Sequence, residues 1–229
     1  MGAEVDFSEI PAFQVRGADE QRVPFVFNSP HSGRYYPPRF LAMSSLDDST
    51  IRRSEDCYVD ELFAAAATLG APLLTANFPR AYLDVNREPW ELDPRMFREP
   101  VPSYANTRSP RVAGGLGTVP RLVGEGLAIY GQKLPIAEAL SRIENIYRPY
   151  HACLAALLQR TRDVFGCAIL IDCHSMPANI RVGDGGFRPD FIVGDRFGAS
   201  AVPALRDHAM TLRQRDTRWC RTSLMREAS

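Results

Sequence analysis

The chain has 229 residues, of which 45% are hydrophobic, so it can bury one substantial core. Its 27 Lys and Arg residues balance its 27 Asp and Glu residues, which argues against a protein held on nucleic acid or a membrane surface by bulk charge. No apolar run is long enough to cross a bilayer, no secretory signal is present, and five scattered cysteines are typical of a reduced, cytoplasmic protein.

The first predicted elements are a buried strand and a helix. An apolar run predicts a strand over 23–28, followed by a loop rich in Pro and Gly that carries His31. A helix is predicted over 54–67, with Ser54 as its N-cap and Gly70 closing it.

The middle of the chain predicts two more strands, a long loop and a helical region. The strands are expected over 71–78 and 82–85. Residues 88–118 are rich in Pro, Gly and Arg without a period, which indicates a functional or mobile loop. One or two helices are predicted over 121–165, with breaks near Pro135 and Pro149.

The last part of the chain predicts a further buried strand over 168–173, which ends in polar residues that include His174. A short strand at 191–193 and a helix from about Ala199 follow. Because strands alternate with helices, we predict an α/β sandwich with a mixed, mostly parallel sheet, in a chain long enough for one large domain or two small ones.

Two histidines follow predicted strands, and chemistry in open α/β sheets gathers beyond the carboxyl ends of strands. We interpret His31 and His174 as ligands of one zinc ion, with Asp56 in the first turn of the predicted helix as the third ligand and Glu55 as its rival. For either histidine alone, a structural role is the better interpretation. A serine nucleophile is disfavoured because no Gly-x-Ser-x-Gly turn occurs, and Cys173 leaves a thiol hydrolase as a distant alternative.

An arginine-rich turn follows the predicted third strand. The Arg87 guanidinium could match a substrate carboxylate, with Asn86 adding an amide donor and Asp84 holding the arginine or the loop. Arg80 could face an oxygen that gains charge during acyl transfer. The alternative is a structural Asp–Arg pair at the end of a strand.

Four successive motifs of this sequence resemble those of N-formylglutamate amidohydrolases, in order and spacing, from about Phe25 to about Met210. They are Asn28–Gly33 (NSPHSG), Glu55–Leu62 (EDCYVDEL), Arg80–Arg87 (RAYLDVNR) and Ile171–Ser175 (IDCHS). Each motif alone is modest, whereas four in sequence are specific.

The resemblance implies a three-layer α/β/α sandwich like that of zinc carboxypeptidases and aspartoacylases, as a single domain over 1–229 whose C-terminal part is missing or altered after about 212. It implies zinc held by His31, an acid in the Asp56 region and His174. It also implies that Asn86 and Arg87 grip the substrate's α-carboxylate while Arg80 polarises the scissile carbonyl. The reaction would hydrolyse a small-molecule N-acyl amino acid, typically N-formyl-L-glutamate, which would give formate and glutamate.

The sequence departs from the family pattern after about residue 212. The resembling proteins continue with Asn-x-Pro-Tyr-Ala-Gly-Gly and a later strand whose Glu resembles a general base, and neither appears here. Another reading frame from Leu212 onward can spell the missing segment, so we hypothesise a frame break there. We therefore expect zinc to bind, turnover to be weak or absent, and a sheet edge or core face to be left open. The alternative function is that of an impaired remnant which binds metal or a carboxylate ligand without turnover.

Overall fold

In a computed structural model, residues 1–175 contain a four-stranded mixed sheet. The chain divides into two compact units, residues 1–175 and residues 176–229. The structure describes residues 7, 10–124, 126–178, 188–196, 198–211 and 217–222.

The first unit contains both strands and helices. Its strands are β1 (Phe13–Arg16), β2 (Phe25–Ser29), β3 (Leu73–Ala76), β4 (Leu122–Val123), β5 (Leu127–Ala128) and β6 (Ile169–Asp172). Its α-helices are α1 (Pro38–Met43), α2 (Val59–Leu62), α3 (Ala65–Thr68), α4 (Pro110–Ala113), α5 (Ile136–Arg142) and α6 (Arg148–Phe165). Two 3-10 turns (Ile51–Ser54 and Pro94–Met96) and a π-helical turn (Ile143–Tyr147) complete the described elements.

The strand order in the main sheet is β1-β3-β2-β6. Strand β2 runs parallel to β3 and to β6, and β1 runs antiparallel to β3. The α/β class with a mixed, mostly parallel sheet is therefore confirmed, while the three-layer carboxypeptidase-like arrangement stays a prediction. Because β2 and β6 are parallel neighbours, the loops that follow them start at the same end of the sheet, beyond the carboxyl ends of the strands. These loops carry His31 and His174.

Strand β6 lies where the sequence predicts it, but the prediction that both its faces are buried is wrong. Its residues alternate between half-buried and exposed, and Leu170 is 40% exposed. Among the described strands β6 pairs only with β2, so it forms an edge of the sheet. Strand β3 is instead the fully buried one, as expected for a central strand.

The helix predicted over 54–67 is replaced by short pieces. Ser54 ends a 3-10 turn instead of capping a helix, and α2 and α3 are separated. Tyr58, just before α2, has a left-handed backbone with φ of 61°. The segment between the pieces is held out of a helix because the Asp56 amide donates to the His31 carbonyl over 3.0 Å. Gly70 does close this region, with φ of +89°.

The strand predicted over 82–85 is wrong, because these residues form a buried turn. The amides of Tyr82 and Leu83 both donate to the Pro79 carbonyl, at 2.9 and 3.3 Å. The Tyr82 carbonyl in turn accepts a hydrogen bond of 3.0 Å from the buried Arg142. The apolar run in the sequence therefore reflects burial of a turn whose polar groups are paired inside the protein.

The region predicted as helical over 121–165 begins with a hairpin of β4 and β5 and continues as one helical stretch over 136–165. Pro135 precedes α5, as predicted, but no break occurs at Pro149. The five-residue π-helical turn directly before α6 places Pro149 in the first turn of that helix, where the missing amide hydrogen costs little.

The core of the first unit lies between the sheet and the long helical stretch. It includes Val26, Leu74, Phe78, Ile143 and Tyr150. The loop over 88–118 is irregular apart from the 3-10 turn at 94–96 and α4, but it contributes buried side chains such as Leu92 and Phe97.

The second unit contains the predicted strand β7 (Phe191–Gly194), the helix α7 (Pro203–Thr211) and a strand β8 (Trp219–Thr222) that runs parallel to β7. The helix begins slightly later than predicted. The hypothesis of a frame break concerns residues from 212 onward, of which 212–216 and 223–229 lie outside the described residues. No helix in the described part of the chain is long and apolar enough to cross a membrane.

Candidate metal centre

The three residues predicted to bind metal lie together. His31, Asp56 and His174 each offer one ligand atom, and these atoms all lie within 4.8 Å of one another. The two imidazole rings are 5.0 Å apart between centroids. Residues separated by up to 143 positions in the sequence therefore converge beyond the carboxyl ends of β2 and β6.

His31 is 1% exposed and presents one nitrogen towards the other ligands. Its Nε2 lies 2.9 Å from Asp84 Oδ1, and since an ionised carboxylate only accepts hydrogen bonds, Nε2 carries the hydrogen. Its Nδ1 lies 3.4 Å from Asp56 Oδ2 and has no hydrogen-bond partner among the described residues. A buried imidazole nitrogen of this kind is the donor that a metal ion takes.

His174 repeats this arrangement. Its Nδ1 lies 3.0 Å from Asp56 Oδ2 and its Nε2 lies 2.9 Å from Asp172 Oδ2. Burial by itself lowers the pKa of His174, but the bonds to Asp172 and Asp56 outweigh it and raise the pKa to about 9. Without a metal, the ring is thus a charged donor to two carboxylates.

Asp56, and not Glu55, is the acid that the structure brings to the imidazoles. Burial raises the pKa of Asp56, but the hydrogen bond with His174 and the nearby ring of His31 hold it below the usual value, so the carboxylate is ionised. The side chain of Glu55 is instead engaged by the Tyr36 hydroxyl at 2.6 Å and by Arg52 at 3.2 Å.

These residues fit a zinc ion. Two imidazole nitrogens and one carboxylate oxygen are the donor set of a zinc site that keeps one position open. The unpartnered Nδ1 of buried His31 supports the fit independently of any motif. The histidines are also oriented from outside by Asp84 and Asp172, as metal-ligating histidines usually are.

The arginine-rich turn joins this centre through Asp84. Arg80, whose side chain is 24% exposed, donates from Nε to Asp84 Oδ2 over 3.0 Å. The amide of Asn86 donates to Asp84 Oδ1 over 2.9 Å, and its exposed side-chain nitrogen lies 3.4 Å from His174 Nε2. Burial raises the pKa of Asp84, but electrostatic interactions with His31 and Arg80 have the larger, opposite effect. The pKa of Asp84 therefore lies below its usual value, and the carboxylate is ionised.

Arg87 is more enclosed than the sequence suggests. Its side chain is 2% exposed, Nε donates to the Leu116 carbonyl at 3.0 Å, and Nη1 donates to the Asn86 carbonyl at 2.9 Å. Nη2 lies 3.4 Å from Asp84 Oδ2. The structural Asp–Arg pair considered as the alternative is therefore present in this conformation.

Several residues of the centre escape sequence reasoning. Asp172 orients His174, and its position two residues before the histidine is a signal that could have found it. Ser175 donates from Oγ to Asp56 Oδ1 over 2.9 Å. Asn28 and Tyr150 extend the network behind Asp172, and nothing in a single sequence distinguishes Tyr150 from other helix residues. Neither His151, whose Nε2 lies 2.8 Å from the Val85 carbonyl, nor the exposed His208 is a member of the ligand group.

Comparisons with known proteins agree with the motifs. A family model described as N-formylglutamate amidohydrolase matches residues 23–222. The chain is 30% identical over 186 residues to the N-formylglutamate deformylase of Pseudomonas aeruginosa, and 30% over 188 residues to that of Pseudomonas putida. These matches cover 80% and 81% of this chain, which spans 64% of the length of each relative.

Solved structures give the same picture. The crystal structure of an N-formylglutamate amidohydrolase from Ralstonia eutropha JMP134 is 32% identical with a TM-score of 0.84, covering 92% of this chain and 76% of that one. A gene product of Agrobacterium tumefaciens is 18% identical with a TM-score of 0.60, over 92% of this chain and 72% of the other. The second likeness concerns the fold alone.

Proposed function

The chain belongs to the N-formylglutamate amidohydrolase family, and from that premise we propose that it is a zinc-dependent hydrolase which releases formate from N-formyl-L-glutamate. The names of the two Pseudomonas relatives support the substrate. One observation on this chain supports the metal: the buried His31 Nδ1, to which the described residues offer no hydrogen bond, faces Asp56 and His174.

In this proposal His31, Asp56 and His174 hold zinc. When bound, the ion supplies Lewis-acid chemistry that activates water for attack on an amide carbonyl. Asp84 and Asp172 keep the two rings turned so that each Nδ1 faces the metal position. His31 and Asp56 are buried and His174 is half-buried, which limits access of competing water and strengthens each charge interaction.

In this proposal the arginine-rich turn binds the substrate. Arg80 is partly exposed and positively charged, so it can stabilise an oxygen that gains charge during hydrolysis. Asn86 is exposed beside His174 and can donate to a substrate carboxylate. Arg87 joins it only if the loop rearranges, because its guanidinium now binds two backbone carbonyls and lies near Asp84.

The proposal leaves the carboxylates of the centre without a role as general base. Asp56 lies against both imidazoles, Asp84 accepts from His31, and Asp172 accepts from His174. Asp56 therefore serves as a metal ligand, and Asp84 and Asp172 serve to orient the two histidine ligands.

Formate release from N-formyl-L-glutamate tests the proposal directly. The protein is stripped with a chelator, reloaded with zinc, and compared with its His31→Ala and His174→Ala variants. We expect stoichiometric zinc and weak hydrolysis in the reloaded protein, in line with the weak turnover expected from the sequence, and loss of both in the two variants. His208→Ala is the matched control, because this exposed histidine of α7 lies outside the ligand group.

The outcomes separate the alternatives. Hydrolysis that persists after chelation would contradict zinc dependence. Faster hydrolysis of another N-acyl amino acid in a substrate panel would keep the metal and replace the substrate. Zinc bound through His31 and His174 without hydrolysis of any substrate would favour a binding protein over an enzyme.

A further inference from the structure

A continuous path of hydrogen bonds connects helix α6 to the imidazole of His174. The hydroxyl of Tyr150 donates to Asn28 Oδ1, and Asn28 Nδ2 donates to Asp172 Oδ1 over 2.8 Å. The other oxygen of Asp172 lies 2.9 Å from His174 Nε2. We propose that Tyr150 is a positioning residue, which fixes the orientation of the His174 ring through Asn28 and Asp172.

The direction of each bond in this path is determined by its members. The ionised carboxylate of Asp172 can only accept, so Asn28 must turn its nitrogen towards it. The amide oxygen then points the other way and needs a donor, which the Tyr150 hydroxyl supplies. Burial, followed by the nearby charge of Asp172, raises the pKa of Tyr150 well above its usual value, so the hydroxyl keeps its proton.

Asp172 needs such support because of where it lies. It is the last residue of the edge strand β6, and its side chain is 38% exposed, so other rotamers are open to it. Asn28 is its register partner on β2 and is buried, which makes it a fixed donor. With Oδ1 held by Asn28, Oδ2 is left to accept from Nε2 of His174, and Nδ1 is turned towards Asp56.

The ring of Tyr150 is fixed independently of its hydroxyl. It is fully buried, with edge-on contacts to Phe13 and Phe78 at centroid distances of 5.4 and 6.0 Å. Tyr150→Phe therefore keeps this packing and removes only the first hydrogen bond of the path. His31 is oriented by Asp84 through separate contacts, so the variant acts on one of the two imidazoles.

The experiment compares Tyr150→Phe with Tyr147→Phe. Tyr147 is also buried in the same helical stretch, but its hydroxyl donates to the Arg87 carbonyl over 2.6 Å. Two quantities are measured: proton exchange at His174 Nε2 in the metal-free protein, by nitrogen-labelled histidine NMR, and zinc affinity by competition with a chelator. Only the second rests on the proposed function. In Tyr150→Phe we expect faster exchange and a loss of zinc affinity of about 10- to 100-fold, with neither change in Tyr147→Phe.

Equal exchange and equal zinc affinity in Tyr150→Phe and the unmodified protein would overturn the inference. If the unmodified protein binds no zinc while exchange at His174 still depends on Tyr150, the proposed function fails and the positioning role stands. Should Tyr150→Phe not fold, Asn28→Ala interrupts the same path, and unchanged exchange in that variant would also overturn the inference.

Discussion

At the scale of single residues, the centre is built from imidazoles set between carboxylates. His31 lies between Asp84 and Asp56, and His174 lies between Asp172 and Asp56. In each case the outer carboxylate meets Nε2 and the shared Asp56 faces Nδ1. The arrangement orients both rings in the absence of metal. It also stabilises a proton on His174 Nδ1, the atom that would bind the metal.

Zinc affinity should therefore depend on pH through His174. Its pKa is about 9 without metal, because bonds to Asp172 and Asp56 outweigh the effect of burial, so zinc must displace a proton at lower pH. We expect affinity to rise about tenfold per pH unit from pH 6.5 to about pH 9, measured by chelator competition. The stability of the metal-free fold depends on pH in the opposite direction. The stabilisation that comes from protonated His174 is fully present below pH 6.5 and is lost as the pH rises through about 9. An affinity independent of pH over this range would contradict the coupling.

The thiol of Cys173 should be unreactive despite its position beside His174. Burial, and then the charge of Asp172, raises its pKa to about 12. Brief alkylation at about pH 8, followed by mass spectrometry, should label the exposed Cys57 and Cys167 well before Cys173. Rapid labelling of Cys173 with loss of hydrolysis would instead support a thiol-dependent enzyme.

At the scale of elements, the sequence predicts what its apolar runs encode. Strands β2, β3 and β6 coincide with short apolar segments, and β2 and β6 end in polar residues, so both the strands and the end of the sheet that carries His31 and His174 are predictable. The interruptions within helical segments are harder to predict from the sequence. The predicted helix over 54–67 is interrupted by contacts made at a distance in sequence, such as the bond from Asp56 to the His31 carbonyl.

The candidate site was predictable to the same extent. Residue type and spacing single out His31, His174 and an acid near 56, because imidazoles and carboxylates are the side-chain types that zinc ions prefer. The choice of Asp56 over Glu55 depends on Tyr36, which comes from an earlier segment, and on Arg52, three residues before Glu55; both engage Glu55. A single sequence does not contain that information.

The loop that carries His31 should tolerate no side chain at Gly33. A Cβ there would lie 2.0 Å from the Phe78 carbonyl oxygen, since the loop passes directly against the backbone after β3. We expect Gly33→Ala to destabilise the fold by about 1–3 kcal/mol and to weaken zinc binding by displacing His31. Urea unfolding and zinc content measure the two effects.

Gly114→Ala is the matched control for this substitution. Its Cβ would lie 3.4 Å from the nearest atom, the Pro110 carbonyl oxygen, and Gly114 has an ordinary φ of −75°. Its effect on stability should stay within about 0.5 kcal/mol. Equal effects of the two variants would show that crowding at Gly33 does not constrain the loop.

At the scale of the whole molecule, every residue of the centre belongs to the first unit, residues 1–175. Its ligands come from three segments: the loop after β2, the link before α2 and the end of β6. Asp56 and His174 alone are 118 residues apart. An ion bound to all three would join segments that the unfolded chain keeps apart, so it would favour the folded state.

Zinc should consequently raise the unfolding temperature of the chelator-treated protein. A ligand at 100 times its Kd adds about 2.7 kcal/mol to the free energy of unfolding, which corresponds to about 5–11 °C for a domain of this size. The shift should vanish in His31→Ala and His174→Ala but remain in His208→Ala, and magnesium should not reproduce it because that ion prefers oxygen ligands in octahedral geometry. Differential scanning calorimetry measures the shift. If zinc raised the unfolding temperature of His31→Ala as much as that of the unmodified protein, the ion would bind elsewhere. The convergence of these three segments would then not reflect zinc binding.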